Sequence, residues 1–282
     1  MEKVGGKKRI GLTPWRTWDK HINQMTPNEN MQFWRKWNRF QQRHELTFTK
    51  LFKKALQQQV RAFEKSKDPM LIPAYPIYTA LKELYSKVGP LWANEIRKDI
   101  RGKTITKARL PMGFNEDIIN LMREYFGIDL LNDAELMTRY SREVIAKVLS
   151  DSLPLGLSFD EIVKKLLVHP EFSAMRARRI ARTETVTAAN GASMIYVRQS
   201  KAKWNKVWIA VKDARTRHNH RDIDGTEIDI DTPFKLPDAE MMQPGARKQP
   251  NNLAVPASEV VNCRCTVAFE AKRDASGRLI RS

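Results

Sequence analysis

The chain has 282 residues, which is enough for one large domain or two ordinary ones, since a domain usually contains about 100–200 residues. Its 50 lysines and arginines outnumber 32 acidic residues and give a formal net charge of +18. This charge favours a polyanionic partner, either nucleic acid or an acidic protein surface such as the wall of a large assembly. Two cysteines exclude a disulfide framework, and the lack of a long apolar run or a signal peptide predicts a cytoplasmic protein without a membrane partner.

The first 170 residues are predicted to be almost entirely helical. Residues 1–27 lack a periodic apolar face, so we interpret them as a basic N-terminal arm, with a disordered terminus as the alternative. In five later segments apolar residues recur at steps of three and four, which is typical of amphipathic helices. These segments are residues 28–67, 77–100, 115–126, 133–152 and 159–169.

Particular residues add detail to these helices. The sequence from Ser158 to Glu161 is a capping box, which predicts the start of the last helix. Gly89-Pro90 predicts a kink in the second helix. In the first helix Trp34, Trp37 and Phe40 form an aromatic face, which packs either inside the domain or against a partner.

The remainder of the chain has a mixed pattern. Residues 173–200 predict one more helix, rich in alanine and arginine. Alternating residues predict strands at 204–211, 226–230 and 260–269, with a loop rich in proline, glycine and asparagine over 233–256. The predicted fold class is therefore α+β, with long amphipathic helices in the N-terminal region and a small mixed α/β region after them.

Three blocks of sequence stand out in this mixed region. Residues 181–185 read ARTET and are followed by Asn190, residues 208–225 read WIAVKDARTRHNHRDIDG, and residues 261–266 read VNCRCT. In this order the blocks resemble the Mu F-like, SPP1-type family of minor head (head morphogenesis) proteins of tailed phages. The residues that match the family pattern are Arg182, Thr183, Glu184, Asp213, Arg215, Thr216, Arg217, His220, Gly225, Asn262, Cys263, Arg264 and Cys265.

The resemblance implies a domain organisation, a location and partners. It divides the chain into a basic arm (1–27), a helical region (28–130), a head-morphogenesis domain (131–270) and a basic tail (271–282). It implies a minor capsid protein of the portal region or inner capsid surface, with the portal protein and the scaffold or major capsid protein as partners. Such a protein is found in the virion after assembly in the host cytoplasm. The net charge independently favours non-specific contact with double-stranded DNA during assembly or ejection.

The two cysteines and a histidine form a candidate metal site. In a strand, alternate side chains share a face, so we expect Cys263 and Cys265 to point one way and Arg264 the other. With His220, and with His218 as a candidate fourth ligand, they predict a tetrahedral Cys₂His₂ zinc site that pins the long loop to the sheet. Ordinary packing of buried thiols and a strained disulfide are the alternatives.

The charged residues of the middle block are interpreted as structural. Asp213, Arg215 and Arg217 predict a buried network of ion pairs and backbone caps around a turn, because a catalytic site needs more than charges close in sequence. We expect Arg182 and Glu184 to join this network from the preceding helix.

The enzymatic alternative is a metal-dependent nuclease. The run His218-Asn219-His220, followed by Asp222, is similar to the motif of HNH endonucleases. Those enzymes also need a metal-binding histidine downstream, whereas all five histidines of this chain lie at or before the motif. Mu F-like domains are sometimes fused to effector domains such as ADP-ribosyltransferases, but only a short tail follows Cys265. We therefore expect a structural protein and no enzyme.

Overall fold

The computed structural model describes residues 27–102, 114–200, 202–211 and 213–281, and within them it contains seven α-helices and five β-strands. The helices are α1 (Pro27–Ser66), α2 (Tyr75–Gly102), α3 (Phe114–Ser152), α4 (Phe159–Val168), α5 (Ala174–Arg198), α6 (His218–Asp222) and α7 (Ala257–Val260). The strands are β1 (Trp204–Ile209), β2 (Glu227–Asp229), β3 (Phe234–Leu236), β4 (Ala239–Met241) and β5 (Thr266–Ala271). The predicted α+β fold class is confirmed. Residues 1–26 of the predicted arm lie outside the described residues.

The aromatic face of α1 packs within the protein. Trp37 is fully buried, and its ring lies 4.8 Å from that of Trp92 in α2, edge to face. Phe40 lies at the same distance from Trp92, and Trp34 packs against the same core. The Trp37 indole N–H also donates to the carbonyl of Arg264, at 2.7 Å. Of the two alternatives for this aromatic face, the structure therefore shows packing inside the domain.

Helix α3 is continuous where the sequence predicted two helices. Phe126, Leu130 and Ala134 are buried at steps of four and carry the apolar face across the predicted gap. Gly127 lies in that gap, but one glycine costs a helix only about 1 kcal/mol, and no proline interrupts the segment. The helix also crosses the boundary between residues 130 and 131, where we placed the start of the C-terminal domain, and this domain division stays a prediction.

The capping box before α4 forms as predicted. The Ser158 hydroxyl accepts the backbone N–H of Glu161, and the Glu161 carboxylate accepts the backbone N–H of Ser158 at 2.8 Å. Helix α4 then ends at Val168, directly before the expected His169-Pro170.

None of the helices in the described part of the chain is long and apolar enough to cross a membrane.

Helix α5 lies at the centre of the fold. Every residue from Thr183 to Met194 is buried, which means that α5 is covered on all sides over three turns. Alanine, glycine, serine and threonine make up eight of these twelve residues, and such small side chains let α1, α2 and α3 approach the backbone of α5. Gly191 lies directly against α3, because a Cβ atom there would lie 2.5 Å from the Phe126 ring.

A small antiparallel sheet with strand order β2-β1-β5 completes the fold. Val207 in β1 pairs with Glu227 on one side and with Ala268 on the other. The strand that we predicted over 260–269 begins only at Thr266, because residues 257–260 form α7. The predicted loop over 233–256 contains the hairpin β3–β4, in which Phe234 pairs with Met241.

The packing at Gly191 leads to a stability test. Replacing Gly191 with valine should lower the free energy of unfolding by about 1–3 kcal/mol, because the added carbons overlap the Phe126 ring in a filled core. Urea unfolding followed by circular dichroism measures this change. Gly127 of α3 is the matched control, since a Cβ there meets nothing within 4 Å. Gly127→Ala should leave stability unchanged or raise it by up to about 1 kcal/mol. Equal destabilisation by both variants would contradict this account of the α5 packing.

Candidate functional site

His220, Cys263 and Cys265 come together in the interior. The His220 Nδ1 atom lies 3.7 Å from the Cys263 sulfur and 3.6 Å from the Cys265 sulfur, and the three candidate ligand atoms lie within 4.8 Å of one another. His220 is 1% exposed and each cysteine 2%. The two cysteines precede β5 instead of lying in it, yet both sulfurs face the histidine, as strand alternation predicted.

Helices α6 and α7 hold the histidine in place. Its Nε2 atom lies 2.8 Å from a carboxylate oxygen of Glu259 in α7, and the other oxygen of Glu259 accepts the side-chain amide of Asn219 at 2.7 Å. The ring of Trp208 packs edge to face on the imidazole, with centroids 5.2 Å apart. Glu259 is buried, so its charge needs these partners. Nε2 thus faces the Glu259 carboxylate, and Nδ1 is the ring nitrogen that faces the two sulfurs.

His218 is not part of this cluster, contrary to its candidacy as the fourth ligand. Its side chain is 84% exposed and lies 2.8 Å from Asp222, four residues later in α6. Residues two apart on a helix point about 200° apart, so His218 and His220 cannot face the same point. The described residues therefore supply three ligand atoms at this place.

The two thiols influence each other. A hydrogen bond from the Cys265 thiol lowers the pKa of Cys263, and this same contact raises the pKa of Cys265. The backbone N–H of Cys265 also points at the Cys263 sulfur, at 3.4 Å. Cys263 is thus the sulfur on which negative charge is stabilised.

The segment from Val261 to Cys265, here called the NCRC segment, is fixed by contacts to several elements. Asn262 has a left-handed backbone, with φ of 61°, which asparagine tolerates better than most residues. Its N–H donates to the Thr183 hydroxyl of α5 at 3.0 Å. The Arg217 guanidinium donates to the Val261 carbonyl, so Arg217 binds this backbone and not Asp213.

Asp213 and Arg264 form the main ion pair of the turn. The guanidinium of Arg264 donates to both carboxylate oxygens of Asp213, each at 2.6 Å, and this contact holds the pKa of Asp213 well below its usual range. Arg215 is a weaker partner at 3.4 Å and is largely exposed. The Thr216 hydroxyl caps the turn on the Val211 carbonyl. The structure thus brings Asp213 and Arg215 together with Arg264, which we had not assigned to this network, whereas Arg217 contacts the Val261 carbonyl.

Arg182 and Glu184 do not join this turn network as we expected. Arg182 donates to Glu45 of α1, at 2.8 and 2.9 Å, whereas Glu184 binds Arg247 and accepts the Tyr85 hydroxyl at 3.0 Å. The reason is again helical geometry, since side chains two apart on α5 face opposite directions.

Gly225, the last of the motif residues, ends the turn before β2. Its φ of 78° is in the left-handed region, which glycine adopts without a Cβ penalty. Its N–H donates to the Trp208 carbonyl at 2.8 Å, so the turn is joined directly to β1.

A second cluster, here called the arginine pocket, lies between α1, α5 and the NCRC segment. It encloses a cavity of about 260 Å³. Its lining residues are Asn38, Gln41, Gln42, Glu45, Leu46, Arg178, Arg182, Arg215 and Arg264. Glu45 is buried beneath it and accepts hydrogen bonds from Arg178, Arg182 and Gln41.

Sequence reasoning missed Glu45 and Arg178 of this pocket and Glu259 of the cysteine cluster. One signal was available for Glu45, since it is an acidic residue among the basic side chains of α1. Glu259 carried no comparable signal, because its role depends on a contact with a residue 39 positions earlier.

The geometry does not favour the nuclease alternative. A catalytic histidine must reach a water molecule and a phosphate, but His220 is buried with both ring nitrogens facing protein atoms. His218 is exposed and paired with Asp222, without a further histidine or cysteine beside it among the described residues.

The ion pair of the turn leads to a pH test. Because the folded state lowers the pKa of Asp213, the pair stabilises the fold above pH ~4 and loses this effect as the carboxylate is protonated at lower pH. Asp213→Asn should therefore cost about 1 kcal/mol at pH 7, a modest value because the carboxylate is about one third exposed. The difference from the parent should shrink as the pH falls below ~4. Urea titrations at pH 7, 5 and 3 measure it.

Asp151 is the control for this test, since its carboxylate forms an exposed pair with Lys147. Asp151→Asn should change stability by less than about 0.5 kcal/mol at every pH. A cost for Asp213→Asn that stays constant from pH 7 to pH 3 would show that the lost interaction does not depend on the carboxylate charge.

Comparisons with known proteins agree with these motifs. Residues 143–268 match the family described as Phage Mu protein F like protein, and this range contains all three sequence blocks. The curated relatives include the Uncharacterized protein YqbB of Bacillus subtilis (strain 168), 32% identical over 48% of this chain and 44% of that protein. They also include the Minor head protein GP7 of Bacillus phage SPP1, 29% identical over 50% of this chain and 46% of that protein.

A third relative has the name of an enzyme. The NAD(+)--arginine ADP-ribosyltransferase EFV of Enterococcus faecalis (strain ATCC 700802 / V583) is 33% identical over 44% of this chain and 26% of that protein. The chain thus spans less than half the length of each of these relatives. No solved structure matches. Residues 143–268 thus match the Mu F-like, SPP1-type family of phage head morphogenesis proteins.

Proposed function

We propose that this protein is a minor head protein of a tailed phage, built into the virion at the portal or the inner capsid surface. The observation that carries this proposal is the family match over residues 143–268, together with the relative named as a minor head protein. The portal protein and the scaffold or major capsid protein are its proposed partners. Its proposed location is the head interior or the vicinity of the portal, after assembly in the host cytoplasm.

The arrangement of the motif residues supports a structural role. Cys263, Cys265 and His220 are buried, so a substrate cannot reach the most reactive side chains of the motif. The ion pair between Asp213 and Arg264 and the backbone contact of Arg217 serve to hold the NCRC segment. Each of these motif side chains thus has its partner in another part of the fold. This is the arrangement of a rigid building block.

The proposal includes non-specific contact with double-stranded DNA at the arginine pocket. Four guanidinium groups line this pocket. Two carboxylates offset part of their charge, that of Glu45 in the lining and that of Asp213, which pairs with Arg264. Arg178 and Arg215 are 58% and 72% exposed, and each guanidinium carries five N–H donors, so most of theirs face solvent.

The chemistry of the pocket suits a phosphate backbone. Guanidinium groups bind phosphate oxygens through paired hydrogen bonds, and the side-chain amides of Asn38 and Gln42 add neutral donors. These contacts read no base sequence, which agrees with a protein that meets the whole packaged genome. The net charge of +18 supports the same partner over a longer range.

A salt titration tests this DNA contact. The protein should bind duplexes of unrelated sequence with equal affinity, and the affinity should fall steeply with salt. Arg178→Gln with Arg215→Gln should weaken binding uniformly and reduce the salt slope by about 2, which corresponds to two lost phosphate contacts. Fluorescence anisotropy at several salt concentrations measures both quantities.

The matched control removes the same charge elsewhere. Arg123 and Arg139 are exposed arginines of α3 that do not line the pocket, and their double replacement by glutamine should leave the slope nearly unchanged. Equal loss in both double variants would assign binding to overall charge instead of the pocket. No binding by the parent at low salt would refute the DNA contact.

Incorporation into particles tests the structural role. Mass spectrometry of purified virions of the encoding phage should detect this chain in few copies relative to the major capsid protein. Deleting its gene should lower the yield of infectious particles. Crosslinking in intact particles should join it to the portal or capsid protein. Absence from purified virions, with full infectivity of the deletion phage, would contradict the proposed function whatever the DNA titration shows.

A further inference from the structure

The cluster of His220, Cys263 and Cys265 has the dimensions of a metal centre. In a tetrahedral zinc site, bonds of about 2.0–2.1 Å to nitrogen and about 2.3 Å to sulfur place these atoms about 3.6 Å apart. The two nitrogen–sulfur distances here are 3.7 and 3.6 Å. We propose that His220 Nδ1 and the sulfurs of Cys263 and Cys265 bind one zinc ion, with a solvent oxygen as the fourth ligand.

The histidine is oriented as a metal ligand requires. A ligating imidazole usually donates its other ring N–H to a carboxylate, which fixes the tautomer and makes the ligating nitrogen more basic. Glu259 accepts from Nε2 at 2.8 Å, and Asn219 in turn holds Glu259 at 2.7 Å. Asn219 also accepts the backbone N–H of His220 through its side-chain oxygen, at 2.9 Å. Glu259 and Asn219 are therefore positioning residues for this ligand.

A metal satisfies the buried groups better than thiols alone. A neutral Nδ1 has one lone pair, so it can accept a hydrogen bond from only one of the two thiols. Both sulfurs nevertheless lie at nearly the same distance from it. A disulfide between Cys263 and Cys265 would leave that lone pair without a donor in the interior. One cation bonded to all three atoms removes both problems. The backbone N–H of Cys265 already points at the Cys263 sulfur, at 3.4 Å, and so orients this sulfur.

The ligand set selects the kind of metal and its role. Two sulfurs and one imidazole nitrogen suit zinc and exclude the hard cations magnesium and calcium, which prefer oxygen ligands. The ligands come from α6 and from the segment before β5, so the ion would join two pieces of chain about 40 residues apart. Burial of all three ligands keeps substrates away from the ion, so the solvent oxygen only completes its coordination and the role of the ion is structural.

Metal analysis of the full-length chain tests the proposal. Protein purified without added metal or chelator should contain one zinc per chain by elemental analysis. His220→Gln and Cys263→Ser should each lose it. His218→Gln is the matched control, because His218 lies two residues away, is exposed, and faces away from the sulfurs. This control should keep the full zinc content.

A second measurement covers the case in which the ligand variants fail to fold. Cobalt(II) exchanged into the parent should give sulfur-to-cobalt charge-transfer absorption and the visible bands of a tetrahedral site, and His218→Gln should give the same spectrum. Glu259→Gln should keep this spectrum but bind zinc about 10–100-fold more weakly.

Three results would overturn the proposal. Folded parent protein without stoichiometric metal, with both thiols reactive after denaturation, would show ordinary free cysteines. The same metal-free protein without reactive thiols would show a disulfide. Zinc that is equally retained by His220→Gln and Cys263→Ser would place the ion elsewhere. None of these results bears on incorporation into virions, so the proposed function is tested separately.

Discussion

The burial of α5 is the constraint on which the rest of the structure depends. Polar groups that are enclosed by protein must find partners there, since an unpaired one costs about 1–3 kcal/mol. The Thr183 hydroxyl accepts from the backbone of Asn262, and the Asn190 amide donates to the carbonyl of Cys265. The Thr187 hydroxyl donates to the carbonyl of Gly245. Each of these contacts positions a distant part of the chain, so α5 orders the loops that follow it.

The N-terminal helices share this core even though they precede the range of the family match. Trp37 of α1 donates to the backbone of Arg264, and Glu45 of α1 accepts from Arg182. Glu184 of α5 reaches Tyr85 of α2. Any surface that the family domain presents near the NCRC segment is therefore built partly from α1. This explains why the arginine pocket combines residues from inside and outside the matched range.

The sequence was sufficient for features that depend on neighbours along the chain. Ser158 and Glu161 cap α4 through contacts three residues apart, and the period of α1 follows from its own apolar residues. Contacts between distant residues leave no such periodic trace. The pairing of His220 with Glu259 depends on how α6 packs against α7, and that of Glu45 with Arg182 on how α1 packs against α5. No local pattern encodes either. The cysteine cluster was predictable because the family resemblance supplied its members together.

The NCRC segment joins the two parts of the candidate site because its side chains alternate in direction. Cys263 and Cys265 face His220, whereas Arg264, between them, faces Asp213 and the arginine pocket. A contact that fixes the sulfurs therefore also fixes the backbone that carries this arginine. Arg264 needs such a fixed backbone, since it forms a paired hydrogen bond that tolerates little displacement. The interior cluster and the charged surface thus both depend on one short segment, whose backbone carbonyls accept hydrogen bonds from Trp37 of α1 and Asn190 of α5.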